Sequence, residues 1–162
     1  MADSDDMTPV AHTPITPKLV DTLYLEAMTL ADEARSYFDR EGAADRGRLD
    51  PVARVAFSCE SLRVTTRLMH VVSWLLVQKA VQAGELDSAE AESPERRLGR
   101  ATDSDDPIRL AFLPARSREI IDRSRDLYDR IARLDAQRVT MPADADGGGG
   151  ARALLDRLRS SL

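Results

Sequence analysis

Residues 51–83 constrain the fold of this chain more than any other stretch of its sequence. Asp50 followed by Pro51 is a typical N-terminal capping signal, and Gly84 supplies a residue that can end a helix in the left-handed conformation. The first half of the stretch has the period of an amphipathic helix, whereas residues 68–77 are apolar nearly all round. Such a helix cannot bury only one face. We therefore expect it at the centre of a helical bundle, or covered on its outer side by a second copy.

A second long helix is predicted before this stretch. Thr16 is an N-cap with Pro17 at the first helical position, and apolar residues at spacings of three and four continue until Gly42. The segment between the two helices, residues 41–49, is interpreted as a polar turn.

A third long helix is predicted after residues 85–106, which are interpreted as a long charged loop. Asp106 and Pro107 predict a short helical turn, and Pro114 restarts a helix that runs to about residue 138. Aromatic residues make up only 4% of the chain, so the core consists of aliphatic side chains, which favours helices over strands. The predicted fold is all-α, an antiparallel three-helix bundle with a disordered N-terminal leader and a flexible C-terminal tail.

The two ends of the chain differ in composition from the predicted bundle. Residues 1–15 are acidic and rich in proline and predict a disordered leader, and residues 16–140 form the bundle. Residues 141–150, with four consecutive glycines, predict a flexible linker. Residues 151–162 recover a helical period and predict a short amphipathic tail that folds on a surface, either its own or a partner's. The apolar residues that would dock are Leu154, Leu155, Leu158 and Leu162.

The residues that usually carry catalysis or bind metal are scarce. The histidines are His12, in the predicted leader, and His70, within the apolar run; Cys59 is the only cysteine. Along one helix Cys59 and His70 are separated by about 16 Å of rise, so they cannot form a nucleophilic pair within one copy. Both are interpreted as core or interface residues. We predict no catalytic residues, no metal site and no cofactor, and therefore a protein that is not an enzyme.

The net charge of −5 argues against nucleic acid as the main partner. In the third helix several acids precede an arginine by four residues, namely Glu119/Arg123, Asp126/Arg130 and Asp129/Arg133, and these spacings predict ion pairs. A DNA-binding regulator stays open as an alternative because this helix also carries Arg116, Arg118, Arg125 and Arg138.

The lone cysteine, the acidic start and the lack of a long apolar run predict a cytoplasmic protein without a membrane span.

Several segments resemble the family of regulators of CtrA degradation. Residues 60–69 (ESLRVTTRLM), followed by residues 73–81 (SWLLVQKAV) and Gly84-Glu85, are similar to the signature of that family. Residues 33–39 (EARSYFD) and the pair Leu113-Pro114 are similar too. The resemblance covers about residues 17–138.

This resemblance implies a helical adaptor of regulated proteolysis that forms homodimers. Such an adaptor helps to deliver cell-cycle regulatory proteins to the ClpXP protease together with co-adaptor proteins, in the cytoplasm and concentrated at a cell pole. An alternative from another class is a dimeric structural or polar-organisation protein. In either case the predicted seam, in the core or between two copies, consists of Leu68, Met69, Val72, Trp74, Leu75 and Leu76.

Overall fold

The computed structural model of the protein describes residues 14–103 and 106–140. All regular elements in these two ranges are helical, which confirms the predicted all-α class. The predicted linker and tail, and the leader apart from residues 14 and 15, lie outside the described residues. The elements are α1 (Pro17–Ser36), which continues into a π-helical turn (Tyr37–Glu41), α2 (Ala43–Gly47), α3 (Pro51–Gln82), α4 (Ser88–Ala91), a 3-10 turn (Pro94–Arg96), α5 (Pro107–Ala111) and α6 (Ala115–Thr140).

The predicted helix starts are confirmed by side-chain caps. The Thr16 hydroxyl accepts a hydrogen bond from the backbone N–H of Leu19 at 3.2 Å, and the Asp50 carboxylate accepts one from Ala53 at 2.8 Å. Asp106 caps α5 in the same way. Gly84 follows α3 with a φ of 73°, the left-handed conformation that glycine adopts without steric cost.

The core lies between α1, α3 and α6, which pack against one another in pairs. Each helix contributes apolar residues at helical spacing, so that one stripe of each faces the other two. The buried apolar residues are Val20, Leu23, Ala27, Leu30 and Ala34 of α1, Phe57, Val64, Leu68, Val71, Trp74 and Leu75 of α3, and Ile120, Ile121, Leu127, Ile131 and Leu134 of α6, together with Tyr37 and Leu113.

The relative directions of the long helices confirm only part of the predicted antiparallel bundle. The α1 helix runs antiparallel to α3, because Asp21 near its start pairs with Lys79 and Tyr37 after its end stacks near Phe57. It is also antiparallel to α6, since Glu26 pairs with Arg130 and Glu33 with Arg123.

The α3 and α6 helices run parallel, so the antiparallel prediction is wrong for this pair. In the contacts between the two helices, residue numbers increase along α3 and α6 in the same direction: Arg67 contacts Ser124, Trp74 contacts Asp135, and Gln78 contacts Arg138. The physical reason is the connection between them, which returns over most of the length of α3 before α6 begins. A consequence is that α1 begins and α6 ends at the same end of the bundle.

The two segments predicted as loops contain short helices, so that interpretation needs correction. Residues 41–49 include α2, and residues 85–106 include α4 and the 3-10 turn. The second segment is anchored by apolar burial, because Ala91 is buried and Leu98 packs against the core. The last part of this segment, residues 97–103, is called the strap. It runs back along the interface between α3 and α6.

No helix within the described residues combines the length and the apolar content needed to cross a membrane.

Candidate functional site

A concave apolar groove lies between the C-terminal half of α1 and the middle of α3. Its volume is about 590 Å³. We call it the α1–α3 groove. The side chains that line it are mostly aliphatic or small: Ala31, Ala34, Arg35, Phe38 and Asp39 from α1 with its π turn, and Ser61, Thr65, Leu68, Met69, Val72, Ser73 and Leu76 from α3.

Two large apolar side chains of α3 stand at the groove and are not covered by the fold. Met69 is 66% exposed and Leu76 is 48% exposed. They are seven residues apart, two turns of helix, and therefore lie on the same face. The neighbouring residues Leu68 and Leu75 fall on the inward face and are buried. An apolar groove with exposed aliphatic side chains and a polar rim is a candidate protein-binding surface.

The structure thus divides the predicted seam into two groups. Leu68, Trp74 and Leu75 are buried in the core, which is one of the two places predicted for them. Met69 and Leu76 are exposed, and Val72 is half-buried beneath them. Whether a second copy covers the exposed group stays a prediction.

The rim of the groove is polar and nearly balanced in charge. Arg35 and Asp39 form an exposed ion pair across one turn, with 3.8 Å between the guanidinium Nε and the carboxylate. The α3 edge carries the uncharged residues Ser61, Thr65 and Ser73. With an apolar floor and a polar rim, the groove can accept the apolar face of an amphipathic helix laid along α1 and α3.

The cysteine and the histidine of α3, Cys59 and His70, do not line the groove. Cys59 is exposed, which excludes the core from its two predicted places and leaves an interface as a prediction. His70 is half-buried and lies directly under the strap, where the backbone of Gly99 passes so close that a Cβ there would stand 2.1 Å from the imidazole Nδ1. Within the described residues, no group of three or more His, Cys, Asp or Glu side chains is placed to hold a metal ion.

Four arginines of α6 form ion pairs, and several of these pairs differ from the predicted ones; the four are Arg116, Arg123, Arg125 and Arg130. The predicted pair Glu119/Arg123 is present, with 3.8 Å between its charged atoms, and Arg123 also binds Glu33 of α1 at 2.5 Å. Arg130 pairs with Glu26 across the same interface. These contacts join two helices because α1 runs beside α6, a fact that spacing along one helix cannot report.

The electrostatic effect of this interface is clearest at Glu33. The hydrogen bond from Arg123 holds the pKa of the Glu33 carboxyl below its usual range, and the charges of Arg123 and Arg116 act in the same direction. The same pairing raises the pKa of Arg123. This side of α6 is therefore neutralised by α1 rather than presented as a basic stripe, which weakens the DNA-binding alternative.

Sequence analysis missed the buried polar residues of α3 and α6. Arg67 is buried and donates hydrogen bonds to Ser124 and Asp103, and the Trp74 indole N–H donates to Asp135 at 2.8 Å. The position of Arg67 in the sequence could have indicated its burial, because it lies three residues after Val64 and four before Val71, which is the spacing of core residues along a helix. The predicted docking residues Leu154, Leu155, Leu158 and Leu162 lie outside the described residues.

Comparison with known proteins places these features in context. The family described as "Protein of unknown function (DUF1465)" matches residues 11–162. Among solved structures, the crystal structure of RcdA from Caulobacter crescentus CB15 is similar, with 34% sequence identity and a TM-score of 0.61. The similarity covers 79% of this chain and 93% of that chain. No curated protein matches the chain significantly.

Proposed function

This chain belongs to the family of RcdA, described as DUF1465, and from that premise we propose that it is a non-enzymatic adaptor that helps to deliver cell-cycle regulatory proteins to the ClpXP protease. The observation that carries the proposal is the α1–α3 groove. It combines an apolar floor with the exposed side chains of Met69 and Leu76. We assign the groove to the apolar face of a helical segment of a partner protein.

An adaptor of this kind acts by proximity. A protein that holds a substrate at one surface and a protease or co-adaptor at another converts two weak contacts into one tighter assembly, with a gain of about 10²–10⁴ in affinity. The groove supplies the first surface. The second belongs to the protease or the co-adaptor proteins, which complete the delivery complex in the cytoplasm.

The test is the degradation rate of a candidate cell-cycle regulator by ClpXP, with the co-adaptors present. We expect Met69→Asp to lower the stimulated rate about tenfold, because a charge in the groove must be desolvated when the partner docks. The side chain is exposed, so the free energy of unfolding should change by less than about 0.5 kcal/mol. The matched control is Leu25→Asp, since Leu25 is equally exposed on α1 but does not line the groove. Equal loss in both variants, or no stimulation by the wild-type protein, contradicts the proposal.

A second candidate is a dimeric structural or polar-organisation protein. It is favoured by further exposed apolar side chains near the start of α3 and in and after α5, namely Val52, Val55, Ile108 and Phe112. Homodimerisation is part of both proposals and is measured by sedimentation over a range of concentrations. A protein that localises its partners without changing their degradation rate favours the second candidate.

A further inference from the structure

A second cavity, beside the first half of α3, combines an apolar wall with a buried acid whose hydrogen bonding is incomplete. We propose that this cavity binds a tryptophan side chain of a partner protein, with the indole N–H donating to Glu60. The inference deepens the proposed function and rests on it for the role of that partner. The α1–α3 groove then holds one protein, and this cavity anchors another.

The cavity lies between the first half of α3 and α5 and has a volume of about 590 Å³. We call it the α3–α5 cavity. This volume is within the usual range of cavities that bind small ligands and anchoring side chains. The α3–α5 cavity shares no lining residue with the α1–α3 groove. Its apolar wall consists of Pro51, Val52, Val55, Ala56 and Leu110.

Glu60 occupies a core position of α3 and keeps one carboxylate oxygen unbonded. It lies three residues after Phe57 and four before Val64, which are both buried, and is itself only 1% exposed. Its Oε1 accepts a hydrogen bond from Arg63 at 2.5 Å, whereas its Oε2 is buried and accepts none from the described residues. A buried acceptor without a donor costs free energy, and folded proteins usually satisfy such groups. Because Glu60 lines the α3–α5 cavity, a ligand that enters it can supply the missing donor.

The charges of the cavity favour a donor without a net charge. Glu60 is paired with Arg63, and Asp106 forms an ion pair with Arg109 at 2.9 Å. The charged residues that line the cavity are therefore two acids and two bases. A cation from a partner would stand beside Arg63 without an additional acid to balance it, and an anion would face the free lone pairs of Glu60. A neutral N–H donor avoids both penalties.

Tryptophan combines the apolar surface and the single donor that this cavity requires. An indole ring buries a large apolar area, and its N–H donates but cannot accept, which suits a carboxylate oxygen that only accepts. The same bond already occurs within this protein, where the Trp74 indole N–H donates to the carboxylate of Asp135 at 2.8 Å. Tryptophans are also frequent anchors in the buried pockets of protein interfaces.

The surface around the cavity indicates a protein, rather than a small molecule, as the source of the indole. Val52 and Val55 of the wall are exposed, as are Ile108 and Phe112, which flank the α5 wall residues in sequence. These side chains extend the apolar contact area beyond what one indole covers. A second copy of this chain cannot provide the anchor, because Trp74 is its only tryptophan and is buried in the core. The occupant is therefore a different protein.

Titration of the full-length protein with indole tests the proposal, and N-methylindole is the matched probe. N-methylindole is larger and more apolar but has no N–H, so a purely apolar cavity binds it at least as tightly as indole. We expect indole to shift the methyl NMR signals of Val52, Val55 and Leu110 in a saturable manner, while those of Leu25, which is exposed on α1 outside the cavity, stay in place. The dissociation constant of indole should be about tenfold lower than that of N-methylindole, because only indole completes the bonding of Glu60.

Two exposed positions of α3 provide a matched pair of variants. Val55→Asp should weaken indole binding about tenfold, because its charge must be desolvated when the ring enters the cavity. Leu62→Asp is the control and should leave the dissociation constant unchanged, since Leu62 is exposed on the same helix but lines neither the groove nor the cavity. Equal weakening by both variants overturns the proposal.

A third variant assigns the preference for indole to the buried acid. Glu60→Leu keeps a side chain of similar size without an acceptor, so the dissociation constants of indole and N-methylindole should become equal. The comparison of the two probes in the wild-type protein decides the proposal without this variant. N-methylindole that binds as tightly as indole, or indole that does not shift the methyl signals of the cavity wall, overturns it. The titration contains neither protease nor substrate, so its failure leaves the adaptor function standing, and failure of the degradation assay leaves the indole site standing.

Discussion

Arg67 carries its charge in the core, and the acid that neutralises it lies at the surface. The Arg67 residue is only 1% exposed, whereas the side chain of Asp103 is 58% exposed. The guanidinium donates to Asp103 at 2.7 Å and to the Ser124 hydroxyl at 2.6 Å. Asp103 is thus the counterion that allows an arginine at a core position of α3.

This arrangement predicts that replacing the exposed Asp103 lowers the free energy of unfolding more than replacing the buried Arg67. Asp103→Asn leaves a buried charge without its counterion and should lower the free energy of unfolding by about 2 kcal/mol. Arg67→Met removes the charge and keeps an apolar side chain of similar length, so the loss should be about 1 kcal/mol or less. Urea denaturation of both variants provides the comparison, and a larger loss for Arg67→Met would show that the reasoning is wrong.

Tyr37 predicts a dependence of stability on alkaline pH. Its hydroxyl donates to Asp45 at 2.9 Å, and burial together with this acid raises the pKa of Tyr37 to about 12 from an ordinary value of 10.0. The folded state therefore keeps a proton that the unfolded state loses above pH 10. This contribution to stability is complete below pH 10 and is lost between pH 10 and about 12.

The measurement is the difference in unfolding free energy between wild type and Tyr37→Phe as a function of pH. We expect wild type to be more stable by about 1 kcal/mol at pH 8, from the hydrogen bond. The difference should shrink as pH rises above 10. A constant difference from pH 8 to 11.5 would contradict the role assigned to Tyr37.

At the scale of elements, the strap is fixed by contacts that are distant in sequence. Arg97 binds Asp135 of α6 with 2.9 Å between the guanidinium Nη2 and the carboxylate, and the Tyr128 hydroxyl donates to the carbonyl of Gly99 at 2.7 Å. Gly99 lies so close to His70 that no side chain fits between them. The strap thus joins α3 and α6 along one side of the bundle.

Gly99→Ala should displace the strap and lower the free energy of unfolding by about 2 kcal/mol, because the new methyl group overlaps the His70 ring. Gly47→Ala is the control, since nothing lies within 4 Å of a Cβ at that position. It should change stability by less than about 0.5 kcal/mol. Adding His70→Ala should recover most of the loss in Gly99→Ala, and an additive effect of the two changes would rule out the proposed clash.

Sequence reasoning succeeded for elements with local signals and failed where distant contacts decide. Thr16, Asp50 and Asp106 mark helix starts because a cap needs only the next three residues. The strap has no such signal, since Arg97 is held by a residue 38 positions later. In the groove, the apolar run of α3 was recognised, but only the packing of α1 and α6 shows that Met69 is exposed and Trp74 is buried.

At the scale of the whole molecule, the parallel course of α3 and α6 requires a long connection. The α3 helix is about 48 Å long, from its 32 residues at 1.5 Å each. The chain between Gly84 and α6 must return over most of this length. Sequence analysis identified most of this segment as a loop and, separately, predicted an antiparallel bundle.

Replacing residues 85–112 with a four-residue turn should therefore abolish the native packing. The shortened chain cannot return to the start of α3, so Trp74 should lose its bond to Asp135 and its fluorescence emission should shift to the red. Inserting six Gly and Ser residues after Gly84 is the control and should cost no more than about 0.6 kcal/mol. A shortened chain that keeps the native Trp74 emission would mean that α3 and α6 need not run parallel.

The parallel arrangement also sets an order of events during synthesis. As the chain leaves the ribosome, α1 and α3 emerge first, and their antiparallel pairing needs only the short segment around α2. The other side of α3, with Arg67 and Trp74, must then wait for Ser124 and Asp135 until the strap and α6 have been translated. Late in translation, a nascent chain therefore exposes the side of α3 that α6 will later cover. At this stage we expect chaperones to bind the chain and proteases to cut it.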